Sequence, residues 1–185
     1  MVALVVKSEF LEEKVLSTKR LHIRKINSDD WESIKEIWDD FSISPLSQYD
    51  APHTSLESEI KRKVHQMAID SQDNSNVFFC VILNDLVIGY VDFHDTGNGM
   101  DLGYCFHSAY QGYGYAKESC KSLIEYFQTL GVKRFTAGTA LDNVPSVKLL
   151  HSLGFEQIGN EKVSFHKDEN ENDIVFDGGI FELII

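Results

Sequence analysis

An uncapped helix entry in mid-chain constrains this sequence more than any other feature. Ala116, Cys120, Leu123, Ile124 and Phe127 recur at steps of three and four, so an amphipathic helix begins near Gly114. Ser, Thr, Asp or Asn usually precedes such a run and accepts its first backbone N–H groups. Here the entry is Tyr110-Gln111-Gly112-Tyr113-Gly114-Tyr115-Ala116, which supplies no such cap. The glycines let another group approach the backbone closely, and the N–H donors stay open. Open donors at the positive end of a helix make an anion site, with phosphate the usual guest. The apolar run Met100 to Phe106 leads into it, so the unit reads strand, phosphate-type turn, helix.

The flanking residues sort the versions of this unit. A P-loop requires Gly-Lys-Ser/Thr, which is not present. A dinucleotide fingerprint requires a third spaced glycine in a unit that opens on a strand, with an acidic residue about 20 positions on. What fits is Gln-x-x-Gly-x-Ala at Gln111, Gly114 and Ala116, which resembles the acyl-CoA pyrophosphate motif of the GNAT acetyltransferase superfamily. A second block, Asn143-Val144-Pro145-Ser146 followed by Leu153-Gly154-Phe155, resembles the family's Asn-x-x-Ser helix ending in Leu-Gly-Phe. A third, Thr18-Lys19-Arg20-Leu21-His22-Ile23-Arg24, is similar to the opening of the branch containing ribosomal-protein N-terminal acetyltransferases.

A chain of 185 residues with 43% hydrophobic and 25% charged residues suits one soluble globular domain. Its net charge of −12 argues against a nucleic-acid partner, which needs clustered Lys and Arg. That charge also repels anionic CoA at long range, so any grip on it has to be local. Cys80, Cys105 and Cys120 lie in apolar runs and read as reduced, buried thiols of a cytoplasmic protein. Cys105 is the candidate if a thiol is catalytic. Residues 1–16 read as an N-terminal extension whose Phe10, Leu11 and Val15 dock on the domain or on a second copy, making a homodimer. The run Val2 to Val6 is too short for a signal peptide, and no stretch is long enough to span a membrane.

From residue 17 to 185 the chain reads as one domain. Ser28 is expected to cap a helix carrying Trp31, Ile34, Ile37 and Trp38 on one face; residues 41–53 are a loop. Thr54-Ser55-Leu56-Glu57 predicts a capping box for a helix to Asp70, followed by a polar break over residues 71–76. Val77 to Leu83 predicts a buried strand, turned by Asn84-Asp85 into another. A strand over residues 134–139 should run parallel to that over 100–106, and Asn143 should cap the next helix. A closing hairpin surrounds the acidic loop 168–172. The fold expected is α/β (α+β): a mixed, mostly antiparallel central sheet with helices on both faces, as the resemblance also implies.

The resemblance implies acetyl-CoA as acyl donor and a primary amine as acceptor. It places the pyrophosphate on Gln111, Gly112, Tyr113, Gly114, Tyr115 and Ala116, and the pantetheine arm along Tyr104, Cys105 and Phe106, with Asn143 and Ser146 opposite. Many members carry a general-acid Tyr four residues after the Asn-x-x-Ser serine; here that residue is Leu150, which leaves Ser146 as the nearest hydroxyl. Asp101 matches an acidic position of the branch and is the candidate base, with Asp92, His94 and Glu156 as rivals. His107, His151 and His166 lack metal-ligand spacing, so no metal is implied. The acid loops suggest a cationic acceptor, a small amine or a protein N-terminus. The missing Tyr keeps a second class open: an acyl-CoA-binding module that does not turn over.

Overall fold

A strand covered on both faces alternates two apolar sets, and residues 77–82 do so. Val77, Phe79 and Val81 join one buried cluster while Phe78, Cys80 and Ile82 belong to another. A computed structural model describes residues 16–73 and 76–185. Among them the elements are β1 (Leu16–Ser17), β2 (His22–Lys25), α1 (Trp31–Ser42), α2 (Glu57–Asp73), β3 (Asn76–Leu83), β4 (Leu86–Asp95), β5 (Met100–Phe106), α3 (Tyr115–Thr129), β6 (Arg134–Ala140), α4 (Val144–Leu153), β7 (Glu156–Lys167) and β8 (Asp173–Ile184). The strands form one sheet in the order β1-β2-β3-β4-β5-β6-β8-β7. Neighbours are antiparallel except β5 and β6, which are parallel as the crossover through α3 requires. The expected extension, except for Leu16, lies outside the described residues, and Leu16 pairs with Ile23 in the sheet.

The larger core lies between the sheet and α3 with α4, where Cys120, Leu123, Phe127 and Leu150 meet Phe79, Phe93, Phe135 and Phe181. The smaller lies on the opposite face, where α1 and α2 place Ile34, Ile37, Trp38, Ile60 and Val64 over Cys80 and Tyr90. This is the expected mixed sheet with helices on both faces.

Local details depart from the sequence reading at the first two helices. Asn27, not Ser28, caps the first turn: its side chain accepts from Asp29 N, while buried Asp30 accepts from Asn27 N at 2.8 Å. Asp30 also takes a bidentate contact from Arg24, so the second arginine of the opening block braces this corner. Thr54 accepts from Leu56 N at 3.2 Å but forms no capping box with Glu57. Its hydroxyl binds the Glu59 carboxylate at 2.6 Å, and the helix starts after Leu56, whose carbonyl accepts from Glu59 N and Ile60 N. The break expected from Ser71 begins later: α2 runs through Ser71 to Asp73, and the buried Ser71 hydroxyl donates to Met67 O and accepts from Phe78 N, which ties the helix to β3. Inside loop 41–53, Ser44 caps a short 3-10 turn, Pro45–Tyr49.

Candidate active site

The registered pairs between β5 and β6 are Met100 with Phe135 and Asp101 with Thr136. Beyond them both strands line a cavity of about 710 Å³, β5 through Leu102 to Phe106 and β6 through Ala137 to Ala140. The opening therefore lies inside the sheet, between two parallel strands that pair at one end. It reaches from the entry of α3 to the loop after α1.

At the α3 end, Gly114 holds the N-cap position in the left-handed region (φ 82) with no side-chain cap, and Gly112 is left-handed as well (φ 81). An L side chain is strained at either position. Gln111 Nε2 donates to Phe106 O at 3.0 Å, which fastens the turn to the end of β5. The Phe106 ring is buried, lying where a Cβ on Gly89 would stand. Gln111, Gly112, Gly114, Tyr115 and Ala116 line the cavity; the Tyr113 side chain is exposed and stacks on Tyr115. A Cβ on Gly112 would meet nothing within 4 Å. These residues fit a diphosphate: uncapped N–H groups, unobstructed backbone, and Lys117 and Lys148 on the same lining.

Along the middle, α4 faces β5. Asn143 caps α4 by accepting from Ser146 N at 3.4 Å, and both line the cavity. Ser146 Oγ stands 2.6 Å from the Tyr104 hydroxyl. Burial pushes the Tyr104 phenol well up, with the Ser146 hydrogen bond opposing, so it stays protonated across the ordinary range. Leu150 is fully buried in the larger core and does not reach the lining.

The far end carries the carboxylates. Asp101 Oδ1 accepts from Thr136 Oγ1 at 2.6 Å. Asp92, nearly buried, packs over Gly103, and its Oδ2 stands 2.8 Å from His94 Nε2, whose other ring nitrogen lies 2.7 Å from Asn76 Oδ1. The hydrogen bond to Asp92 raises the His94 pKa, with burial opposing. Asp50 and Glu161 complete the acidic lining. His166 of β7 lies 3.0 Å from both Ser47 O and Asp50 O, which ties the closing hairpin to the loop after α1. Asp168 caps its own hairpin turn, accepting from Asn170 N and Asn172 N, and neither it nor Glu169, Glu171 or Glu156 lines the cavity. Burial pushes the Cys105 thiol up to about 12, with the Asp50, Asp40 and Asp92 carboxylates adding to it, so it is no ready nucleophile.

Sequence reasoning named Tyr104 for its backbone and missed its hydroxyl, because contact with Ser146 spans 42 positions of chain. Asp50 and Glu161 were missed as well. Glu161 comes from β7 and Asp50 from the loop after α1, elements that meet at the cavity only in the folded chain.

Residues 20–156 match the acetyltransferase (GNAT) domain family. The chain is 30% identical over 154 residues to an uncharacterized N-acetyltransferase, p20, of Bacillus licheniformis, covering 79% of this chain and 84% of that one. A ribosomal L7/L12 alpha-N-protein acetyltransferase, RimL, shares the fold at TM-score 0.82 and 17% identity, covering 94% of this chain and 95% of that one. The Microcin C7 self immunity acetyltransferase MccE, solved with acetyl-CoA and AMP, does so at TM-score 0.78 and 21% identity, covering 91% and 94%. With three-quarters of its length inside the family match and the glycine turn, parallel gap and α4 cap in place, the chain belongs to the GNAT acetyltransferase family.

Proposed function

We propose that the protein moves an acetyl group from acetyl-CoA to a primary amine by direct attack, within the single domain of residues 17–185. One observation carries this reading: a continuous cavity joins the uncapped entry of α3 to a carboxylate-lined end by way of the β5–β6 gap. Acetyl-CoA supplies a thioester that a neutral amine attacks without a covalent enzyme stage. The residues of this chain must then hold both partners, remove a proton from the amine and return one to the departing sulfur.

Alternation along β5 supports a division of that work. Asp101, Gly103 and Cys105 share the face that carries α1 and α2, while Leu102, Tyr104 and Phe106 share the face of α3 and α4. Asp101, held by Thr136, is the proton acceptor on the first side. Ser146, held by Tyr104, is the proton donor on the second. Gln111 through Ala116 take the diphosphate, and the β5 backbone with Asn143 takes the pantetheine arm. The acceptor is a cationic amine, since Asp50, Asp92, Asp101 and Glu161 line its end of the cavity. The hydroxyl pair opposite β5 supplies what Leu150 cannot, which favours turnover over mere binding.

The test is release of free CoA thiol with a panel of amines: polyamines, aminoglycosides, amino acids and peptides with free N-termini. Asp101→Asn should lower kcat by about 100-fold or more with the donor KM little changed. Thiol release with no amine of the panel, or full activity in Asp101→Asn, would overturn the reading or the assignment respectively.

A further inference from the structure

We propose that Arg20, from the segment before β2, is a positioning residue that makes the α3 entry competent to hold the diphosphate of the acyl donor. The inference rests on the donor site proposed above. Arg20 NH1 donates to Tyr113 O at 3.0 Å, in the middle of the glycine turn. Its Nε donates to Glu118 Oε2 at 2.7 Å, and NH2 lies 2.7 Å from the same oxygen. Its backbone N donates to Glu118 Oε1 at 3.1 Å, where the Thr18 hydroxyl also donates at 2.6 Å. The guanidinium carbon lies 4.4 Å from the centre of the Tyr115 ring, and NH2 would stand 3.6 Å from a Cβ on Gly114. One side chain thus grips the turn at Tyr113, the first helical residue at Tyr115, and the first-turn acid at Glu118.

Two physical consequences follow. The first is order. A turn with left-handed glycines at 112 and 114 has many conformations to lose, and a bond to the carbonyl between them removes that freedom before the ligand arrives. The second is charge. A carboxylate in the first turn of α3 competes with a phosphate for the same positive helix end. Burial alone would raise the Glu118 pKa, but the Thr18 and Arg20 hydrogen bonds outweigh it and keep the group ionised. Arg20 cancels that charge where it would repel the ligand, which matters in a chain of net charge −12. Lysine is a poor replacement, because its ammonium lacks the planar fork that holds the Glu118 carboxylate and the Tyr113 carbonyl at once while stacking on the Tyr115 ring.

The experiment measures acetyl-CoA affinity by calorimetry, with donor KM and kcat alongside, for wild type, Arg20→Ala, Arg20→Lys and Arg20→Ala combined with Glu118→Gln. Arg20→Ala is expected to weaken acetyl-CoA by about tenfold, with kcat at saturating donor within about twofold of wild type. Arg20→Lys should recover less than half of that loss on a logarithmic scale. The double variant should bind more tightly than Arg20→Ala, because the uncompensated acid is gone. If Arg20→Ala does not fold, Arg20→Lys carries the decision. Affinity within about twofold of wild type in both single variants, full recovery by lysine, or a loss confined to kcat would overturn the inference. A wild type that does not bind acetyl-CoA would instead overturn the donor site itself.

Discussion

The Tyr104 hydroxyl lies 2.6 Å from Ser146 Oγ, across the gap between β5 and α4. Two hydroxyls at this distance share one proton line. A phenol whose pKa burial has raised is a poor proton source, but it is a good fixed donor to its neighbour. In the proposed mechanism Tyr104 donates to Ser146, which leaves the serine proton for the cavity.

Tyr104→Phe should therefore lower kcat by about tenfold and leave the acetyl-CoA KM nearly unchanged. Ser146→Ala should cost at least as much. Because one residue acts through the other, the double variant should be no slower than Ser146→Ala. Steady-state kinetics of the four proteins checks this. Losses that multiply would show two independent roles.

Leu150 stands four residues after Ser146, where the resemblance implies a tyrosine, and its side chain is fully buried against the larger core. Leu150→Tyr should destabilise the fold by about 1–3 kcal/mol through overpacking and give no gain in kcat. Urea unfolding and turnover measured together decide it. An unchanged midpoint with a tenfold faster kcat would mean that the side chain turns into the cavity.

His94 provides a pH signature. Its hydrogen bond to Asp92 raises its pKa above the ordinary 6.5 against the opposing effect of burial, so the folded state binds this proton more tightly than the unfolded chain. The resulting stabilisation is fully present below about pH 6.5 and fades as pH rises through the folded value. Urea midpoints between about pH 6 and 8.5 should fall more in wild type than in His94→Gln. His53, whose pKa burial lowers, contributes with the opposite sign in both proteins, so the difference between them isolates His94. Parallel curves would remove the Asp92–His94 charge pair.

Much of this was legible in the sequence because it was local. The stripe Ala116, Cys120, Leu123, Ile124 and Phe127 located α3, and the missing cap residue marked its uncapped entry at Gly114. The two-residue turn at Asn84 and Asp85, both left-handed, was readable from residue type alone. The first-helix caps were not, since Asn27 and Ser28 are equally good cap residues, and the choice falls to Arg24 holding Asp30. Acidity in the closing hairpin was visible, but its direction was not. Asp168 turns back on its own loop, while Glu161, an exposed residue of a long edge strand, faces the cavity. The carboxylates at the far end of the cavity come from separate elements, with His166 tying β7 to the loop at Asp50, a contact across 116 positions.

The most direct test of the account is the melting temperature of the protein with and without acetyl-CoA, beside a Gly114→Val variant. Gly114 has φ 82, and a Cβ there would find adequate space, so the variant is penalised by backbone conformation rather than by collision. At about 100 times its Kd, acetyl-CoA should stabilise the wild type by about 2.7 kcal/mol, a rise of about 5–10 °C for a chain of this size. NAD and ATP at the same concentration should give no rise, and Gly114→Val should lose the response to acetyl-CoA. A wild type indifferent to acetyl-CoA, or a variant that still responds in full, would contradict the assignment of the α3 entry as the donor site.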